Sequence, residues 1–273
     1  MTFDHDGVAF EFEGAGEGDH LVRIMARNRR FYEADLLDYM RGLRIELPAH
    51  HRSVALDVGA NIGNHSVYLR RFVADHVLSF EPNPHVLPAL RRNLERNLPE
   101  GGFTVIERAL GKGAGHGAMR LDEASVRAGN SGMAQVVLDG DAPAEGVLAG
   151  ADDILVTPLD DALEAWLEDH SDMHPTLIKI DVEGMEPDVL EGAARTLDRW
   201  HPDLFLEAGT PAASRSLDAL LGERGYTSLC TWGHTSVHHF RHAARLSDRL
   251  RAQRAKVRAR LRRLARRIGA RAA

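Results

Sequence analysis

Ten residues, Val54-Ala55-Leu56-Asp57-Val58-Gly59-Ala60-Asn61-Ile62-Gly63, constrain this chain more than any others. An apolar, β-forming run ends at an acid, a turn carrying two glycines follows, and the stretch from His65 to Phe72 then sets Val67, Leu69 and Phe72 on a helical stripe. Strand, tight turn and helix in that order make a ligand site: glycines let a ligand approach the backbone, and the helix N–H groups face it. The ligand class this fits is a nucleotide-type cofactor.

The same pattern recurs along the chain. His76 to Glu81 is a second short apolar strand ending in an acid, and Pro82-Asn83-Pro84 then starts a helix with Asn83 as N-cap and Leu87, Leu90, Leu94 and Leu98 on its apolar face. Phe103 to Glu107 reads as a third strand. Thr157 and Asp160 form a capping box ahead of a helix that turns Leu159, Leu163, Trp166 and Leu167 inward. A strand over Thr176 to Val182, a helix from about Glu186 to Leu197, a strand over Asp203 to Glu207 and a helix from Ser214 to Arg224 follow. Tyr226 to Cys230 and Thr235 to Phe240 supply a closing strand pair. Short buried strands alternating with helices specify a doubly wound, mostly parallel sheet, with ligands bound beyond the strands' carboxyl ends. Asp57, Glu81, Glu107, Asp181 and Glu207 all fall at those ends.

Three regions flank or interrupt this unit. Residues 1–50 read as an appended N-terminal cap, with a hairpin of Val8 to Phe12 against Leu21 to Met25 and a helix over Phe31 to Met40; the main domain then runs over 51–240. Within it, His116 to Leu121 and Met133 to Leu138 suggest an added hairpin, followed by an acidic loop from Asp139 to Gly146. The third region, 241–273, holds 13 of the 34 Lys and Arg residues but one of the 40 acids, so the tail carries a net +12 and the preceding residues −18. Leu246, Leu250, Val257, Leu261, Leu264 and Ile268 share one arc of a basic amphipathic helix there, which fits an anionic membrane surface, self-association, or the acidic body itself. That acidic body argues against a nucleic-acid partner. Cys230 is the sole cysteine, which excludes an intrachain disulfide and a cysteine-built zinc site. Neither a membrane-length apolar run nor a signal-like N-terminus is visible, so a cytoplasmic location is expected, peripheral to the membrane if the tail binds one.

Two cofactor classes compete for the first turn. A dinucleotide fingerprint needs Gly-x-Gly-x-x-Gly, whereas this turn reads Asp57-x-Gly59-x-Asn61-x-Gly63. Glu81 suits either class, because an acid at the end of the second strand accepts hydrogen bonds from a ribose diol. Asp57 tips the choice toward S-adenosylmethionine, whose amino-acid end carries positive charge that an acid there would meet. The runner-up readings are an NAD(P)-dependent oxidoreductase and a non-catalytic cofactor-binding scaffold.

Taken together, Leu56 to Gly63, Phe80-Glu81-Pro82-Asn83-Pro84, Ala109-Leu110-Gly111, Leu159-Asp160-Asp161, Lys179 to Glu186 and Leu190-Glu191-Gly192-Ala193 resemble the FkbM-type S-adenosylmethionine-dependent methyltransferases, in that family's order. The resemblance implies a Rossmann-like class I methyltransferase sheet of seven strands, the last antiparallel. It also implies methyl transfer to a hydroxyl oxygen of a sugar, glycan or natural product. By the same resemblance Asp57, Gly59, Ala60, Asn61 and Gly63 surround the methionine part, Glu81 holds the ribose, Arg108 and Ala109 lie near the adenine, and Asp181 and Glu183 face the methyl group and the small-molecule or glycan acceptor. Asp181 is the first candidate base and Glu183 the second, since an alcohol needs a proton acceptor in line with the methyl. Asp181, Glu183 and Glu207 offer oxygen ligands for Mg²⁺, but separate roles are expected and no metal is assigned. His65 and His85 stand near the same rim, while His238 and His239, adjacent on a strand, point to opposite faces and do not share an ion.

Overall fold

The computed structural model describes residues 1–43, 47, 50–122, 135–138, 147–149, 153–233 and 236–244. The basic tail beyond 244 and the acidic loop over 139–146 lie outside the described residues. The chain opens with strands β1 (Thr2–His5) and β2 (Val8–Glu11), paired antiparallel, and helices α1 (His20–Asn28) and α2 (Ala34–Leu43). This corrects the expected hairpin: Leu21 to Met25 is helical. Asp19 caps α1 through Val22 N, and the turn of the hairpin lies at Asp6-Gly7.

Next come β3 (Arg52–Val58), α3 (Asn64–Phe72), β4 (His76–Phe80), α4 (Leu87–Asn97) and β5 (Phe103–Ile106). Asn83 does not cap α4; its side chain accepts from His85 N instead, and the helix begins after a further turn. The added sheet consists of β6 (Ala109–Leu110), β7 (Gly115–Asp122), β8 (Gln135–Leu138), β9 (Val147–Ala149) and β10 (Ile154–Thr157), with β7 and β8 forming the expected hairpin. Helix α5 (Leu159–Glu168) follows with Pro158 at its N-cap and no side-chain cap, so the capping box is absent. Asp160 is drawn elsewhere: it accepts from Arg195 N, Thr196 N and Thr196 Oγ1. The chain continues through β11 (Met173–Ile180), α6 (Glu186–Glu191), α7 (Ala194–Trp200), β12 (Asp203–Glu207), α8 (Pro211–Glu223), β13 (Tyr226–Trp232) and β14 (Val237–His242). The single helix expected over Glu186 to Leu197 is two, broken at Gly192, where a Cβ would meet Gly111 O at 2.1 Å.

The main sheet has seven strands in the order β13-β14-β12-β11-β3-β4-β5. All neighbouring pairs from β12 through β5 are parallel, and β14 runs antiparallel to both its neighbours. Alternate residues of each strand feed two apolar cores, as the period of a pleated strand requires. Ala55, Val77, Leu177 and Phe205 face one core, shared with α2, α3, α4 and the aromatic group Phe3, Phe10, Phe12 and Phe31. Val54, Leu56, Val58, Leu78 and Ile178 face the other, against α5, α6, α7 and α8. The β1–β2 hairpin, α1 and α2 share this core with α3 and α4. No helix of the described residues is long and apolar enough to cross a membrane.

Candidate active site

The order of the sheet reverses between β3 and β11, and beyond the strand ends at that reversal lies a cavity of about 700 Å³. Its floor is the turn after β3. Gly59 has φ +78°, and a Cβ there would lie 1.9 Å from Asp181 O, so only glycine lets the ends of β3 and β11 come this close. Gly59 N and Ala60 N both donate to Phe80 O, which ties the turn to the end of β4. The next acid is then clamped. Glu81 accepts from Asn61 N and from Asn83 N, each at 2.8 Å, while burial pushes its carboxyl up to about 7 against those two bonds. Asn61 Oδ1 is buried in the same wall with no hydrogen-bond partner among the described residues.

A buried cation joins this floor. Lys179 is 4% exposed; its Nζ lies 3.3 Å from Asp57 Oδ1 and 3.3 Å from Asp181 Oδ2, and it donates to Gly59 O at 3.1 Å. Burial works against the ammonium, but the two carboxylates outweigh it and hold it charged well above the ordinary lysine range. Asp57 is 0% exposed, accepts from Ser66 Oγ at 2.6 Å, and does not line the cavity. Asp57, expected at the methionine part, therefore lies outside the cavity lining and anchors Lys179 and the first turn of α3. Gly63 is likewise not a lining residue. It is the αL residue preceding α3, at φ +87°, where a Cβ would press on Leu90 Cδ1 at 2.8 Å.

Three carboxylates meet at the cavity's far end. Asp181 and Glu207 stand one step beyond the paired residues Ile180 and Leu206 of β11 and β12, and Glu183 follows in the turn before α6. One oxygen of each lies within 4.8 Å of the others. Burial disfavours charge on all three, yet Lys179 and a hydrogen bond from Glu207 keep Asp181 ionised. Their proton therefore resides on Glu207, which burial and Asp181 push well above the carboxylate range. Glu183 is half-buried on αL backbone at φ +54°; burial, then the charges of Asp181 and Glu186, raise it to about 7. Such strain in a non-glycine residue is tolerated where the surroundings fix it. Here Glu186 accepts from Val182 N and Gly184 N, closing the turn around it.

The N-terminal segment supplies another wall. Tyr32 N donates to Asn64 Oδ1 at 2.9 Å and Asn64 Nδ2 donates to Tyr32 O at 3.2 Å, while Glu33 Oε2 lies 3.1 Å from His65 Nε2. Two consecutive residues are thereby fastened to the first two of α3. All four line the cavity, and burial, then Glu33, Asp181 and Glu207, push the Tyr32 phenol up to about 12. Met119, Gln135 and Val136 of the added sheet also line it, as do Arg108 and Ala109.

Residues 57–228 match the family model described as the methyltransferase FkbM domain. The chain belongs to the FkbM methyltransferase family. Among curated proteins, the methyltransferase sdnD of Sordaria araneosa is 29% identical over 191 residues, spanning 63% of this chain and 72% of that protein. Among solved structures, an FkbM methyltransferase of Methylobacillus flagellatus is 20% identical with a TM-score of 0.44, covering 74% of this chain and 48% of that one, so this chain spans about half of its length. A precorrin-6y C5,15-methyltransferase of Geobacter metallireducens is 15% identical with a TM-score of 0.43, over 84% of this chain and 93% of that one.

Within the FkbM domain, the structure gathers Gly59, Ala60, Asn61, Glu81, Arg108, Ala109, Asp181 and Glu183 at one cavity, and leaves Asp57 and Gly63 behind its wall. Of the rim acids, Glu107 turns outward to Arg91. His65 lines the cavity; His85 is exposed and does not. Sequence reasoning assigned no role to Lys179, Tyr32 or Glu33, although Lys179 opens one of the motifs that carry the resemblance. A lone lysine inside the apolar run of β11 was the one available signal. Tyr32 and Glu33 precede the matched span and carried none.

Proposed function

We propose that this FkbM protein is an S-adenosylmethionine-dependent O-methyltransferase acting on a hydroxyl of a sugar, glycan or natural product. The observation that carries this is Glu81, a carboxylate clamped by two backbone N–H groups at the end of β4, opening on the same cavity as Asp181 and Glu183. The lining fits such a cofactor: Asn61 Oδ1 is a buried acceptor awaiting a donor, and Gly59 keeps the floor free of a side chain. The group when bound supplies a methyl on a sulfonium, an electrophile that needs no activation by the protein.

Glu81 would take the ribose hydroxyls, with Arg108 and Ala109 toward the base. Glu183 is the better proton acceptor of the two candidates, because burial sets it near neutral pH, where general bases work best. Asp181 is already held by Lys179 and Glu207, so its part is to fix charge and position. The Lys179 ammonium supplies positive charge 3.3 Å from Asp181, and no step is assigned to a metal. Turnover is expected to persist in excess chelator; its loss, restored by Mg²⁺, would reassign the three-carboxylate cluster as a metal site.

Calorimetry tests the reading directly. S-adenosylhomocysteine is expected to bind at least a hundredfold more tightly than NAD or NADP. The reverse order would favour the oxidoreductase.

A further inference from the structure

With the ribose on Glu81 and the sulfonium toward Asp181 and Glu183, the amino-acid arm of the proposed cofactor would extend over the turn after β3 toward the first turn of α3, where Asn64 and His65 line the cavity. The ammonium on that arm calls for an anion, since a charge-assisted hydrogen bond is about twice as strong as a neutral one. Asp57, the residue the sequence offers, is sealed behind the floor and bound to Lys179 and Ser66. Asp181 is held on Lys179. Glu33 meets the condition that Asp57 fails. It lines the cavity, and its Oε2 lies 3.1 Å from Nε2 of His65, the second residue of α3 and itself a lining residue. The double hydrogen bond between Tyr32 and Asn64 sets the backbone that delivers it, and Glu33 itself lies on αL backbone at φ +53°.

We infer that Glu33, positioned by His65, receives the ammonium of the cofactor's methionyl moiety, so that a residue outside the matched FkbM domain completes the cofactor site. The inference rests on the proposed cofactor, and the following experiment separates the two.

The affinities of S-adenosylhomocysteine and of 5′-methylthioadenosine, which lacks the amino-acid group, are measured by calorimetry on the full chain. Glu33→Gln is expected to weaken S-adenosylhomocysteine about ten- to a hundredfold and to leave 5′-methylthioadenosine within about twofold. Unchanged binding of the truncated ligand also shows that the variant is folded. His65→Gln, which keeps a side-chain donor near Glu33, is expected to weaken S-adenosylhomocysteine by less than about fivefold. An equal loss for both ligands, no loss for either, or a larger effect from His65→Gln than from Glu33→Gln would overturn the assignment while the cofactor reading stands. Failure of S-adenosylhomocysteine to bind the unmodified protein would overturn both.

Discussion

Replacing Lys179 with methionine is expected to cost about 3–5 kcal/mol of folding stability, the usual consequence of removing one partner from a buried ion pair. The size follows from what is left behind. Asp57 is fully enclosed and faces Lys179 across the register of β3 and β11, and its Oδ1 makes no hydrogen bond among the described residues, so the lysine charge is its main compensation on that side. Asp181 loses the same cation, although a third of its side chain reaches solvent and screens part of the loss. Gly59 O loses a donor as well. Urea unfolding at pH 7 measures the change, and a loss below about 1 kcal/mol would mean that neither aspartate depends on Lys179. Pairing the substitution with Asp57→Asn should recover part of the loss, since the uncompensated charge is then gone.

Glu183→Gln is expected to lower kcat by about 10²- to 10⁴-fold, the range that a positioned general base supplies. Affinity for S-adenosylhomocysteine should stay within about threefold, because the substitution keeps the size and hydrogen-bonding capacity of the side chain. In the unmodified enzyme saturated with donor, the rate should rise as pH passes through about 7. The sign follows from the role: only deprotonated Glu183 accepts a proton, and burial with Asp181 and Glu186 places its titration there. Glu81 titrates in the same region, but its proton bears on cofactor binding and drops out at saturation. Labelled methyl transferred into a cell-extract acceptor provides the assay. Full turnover by the glutamine variant would return the base assignment to Asp181.

The sheet was legible because its strands are buried on both faces, which leaves continuous apolar runs ending where the chain meets the crevice. The strands read from His76 and Phe103 end within a residue of β4 and β5, and the turn after β3 carries both its glycines at positive φ. Helix starts were less legible. Asn83 and Thr157 look like caps locally, but Asn83 spends its side chain on His85 N, and Asp160, the other half of the second box, is taken by α7. Leu21 to Met25 reads as a strand by composition, yet Met25 packs beside Phe31 in the N-terminal layer as part of a helix capped by Asp19.

The site divides along the same line. Glycine spacing and acids at strand ends are local properties, so the chain alone pointed to a crevice with Glu81, Asp181 and Glu183 on its rim, and these three line the cavity. Which acids face the ligand depends on the register between strands: Asp57 lies opposite Lys179, and their attraction draws its carboxylate into the wall. Glu33 enters because Tyr32 and Glu33 meet Asn64 and His65 across 32 residues of sequence, a contact no local pattern encodes. The sequence determined which strand ends carry acids in this fold; only tertiary packing, by burying Asp57 against Lys179 and bringing Glu33 in from the N-terminal segment, decided which of those charges line the cavity.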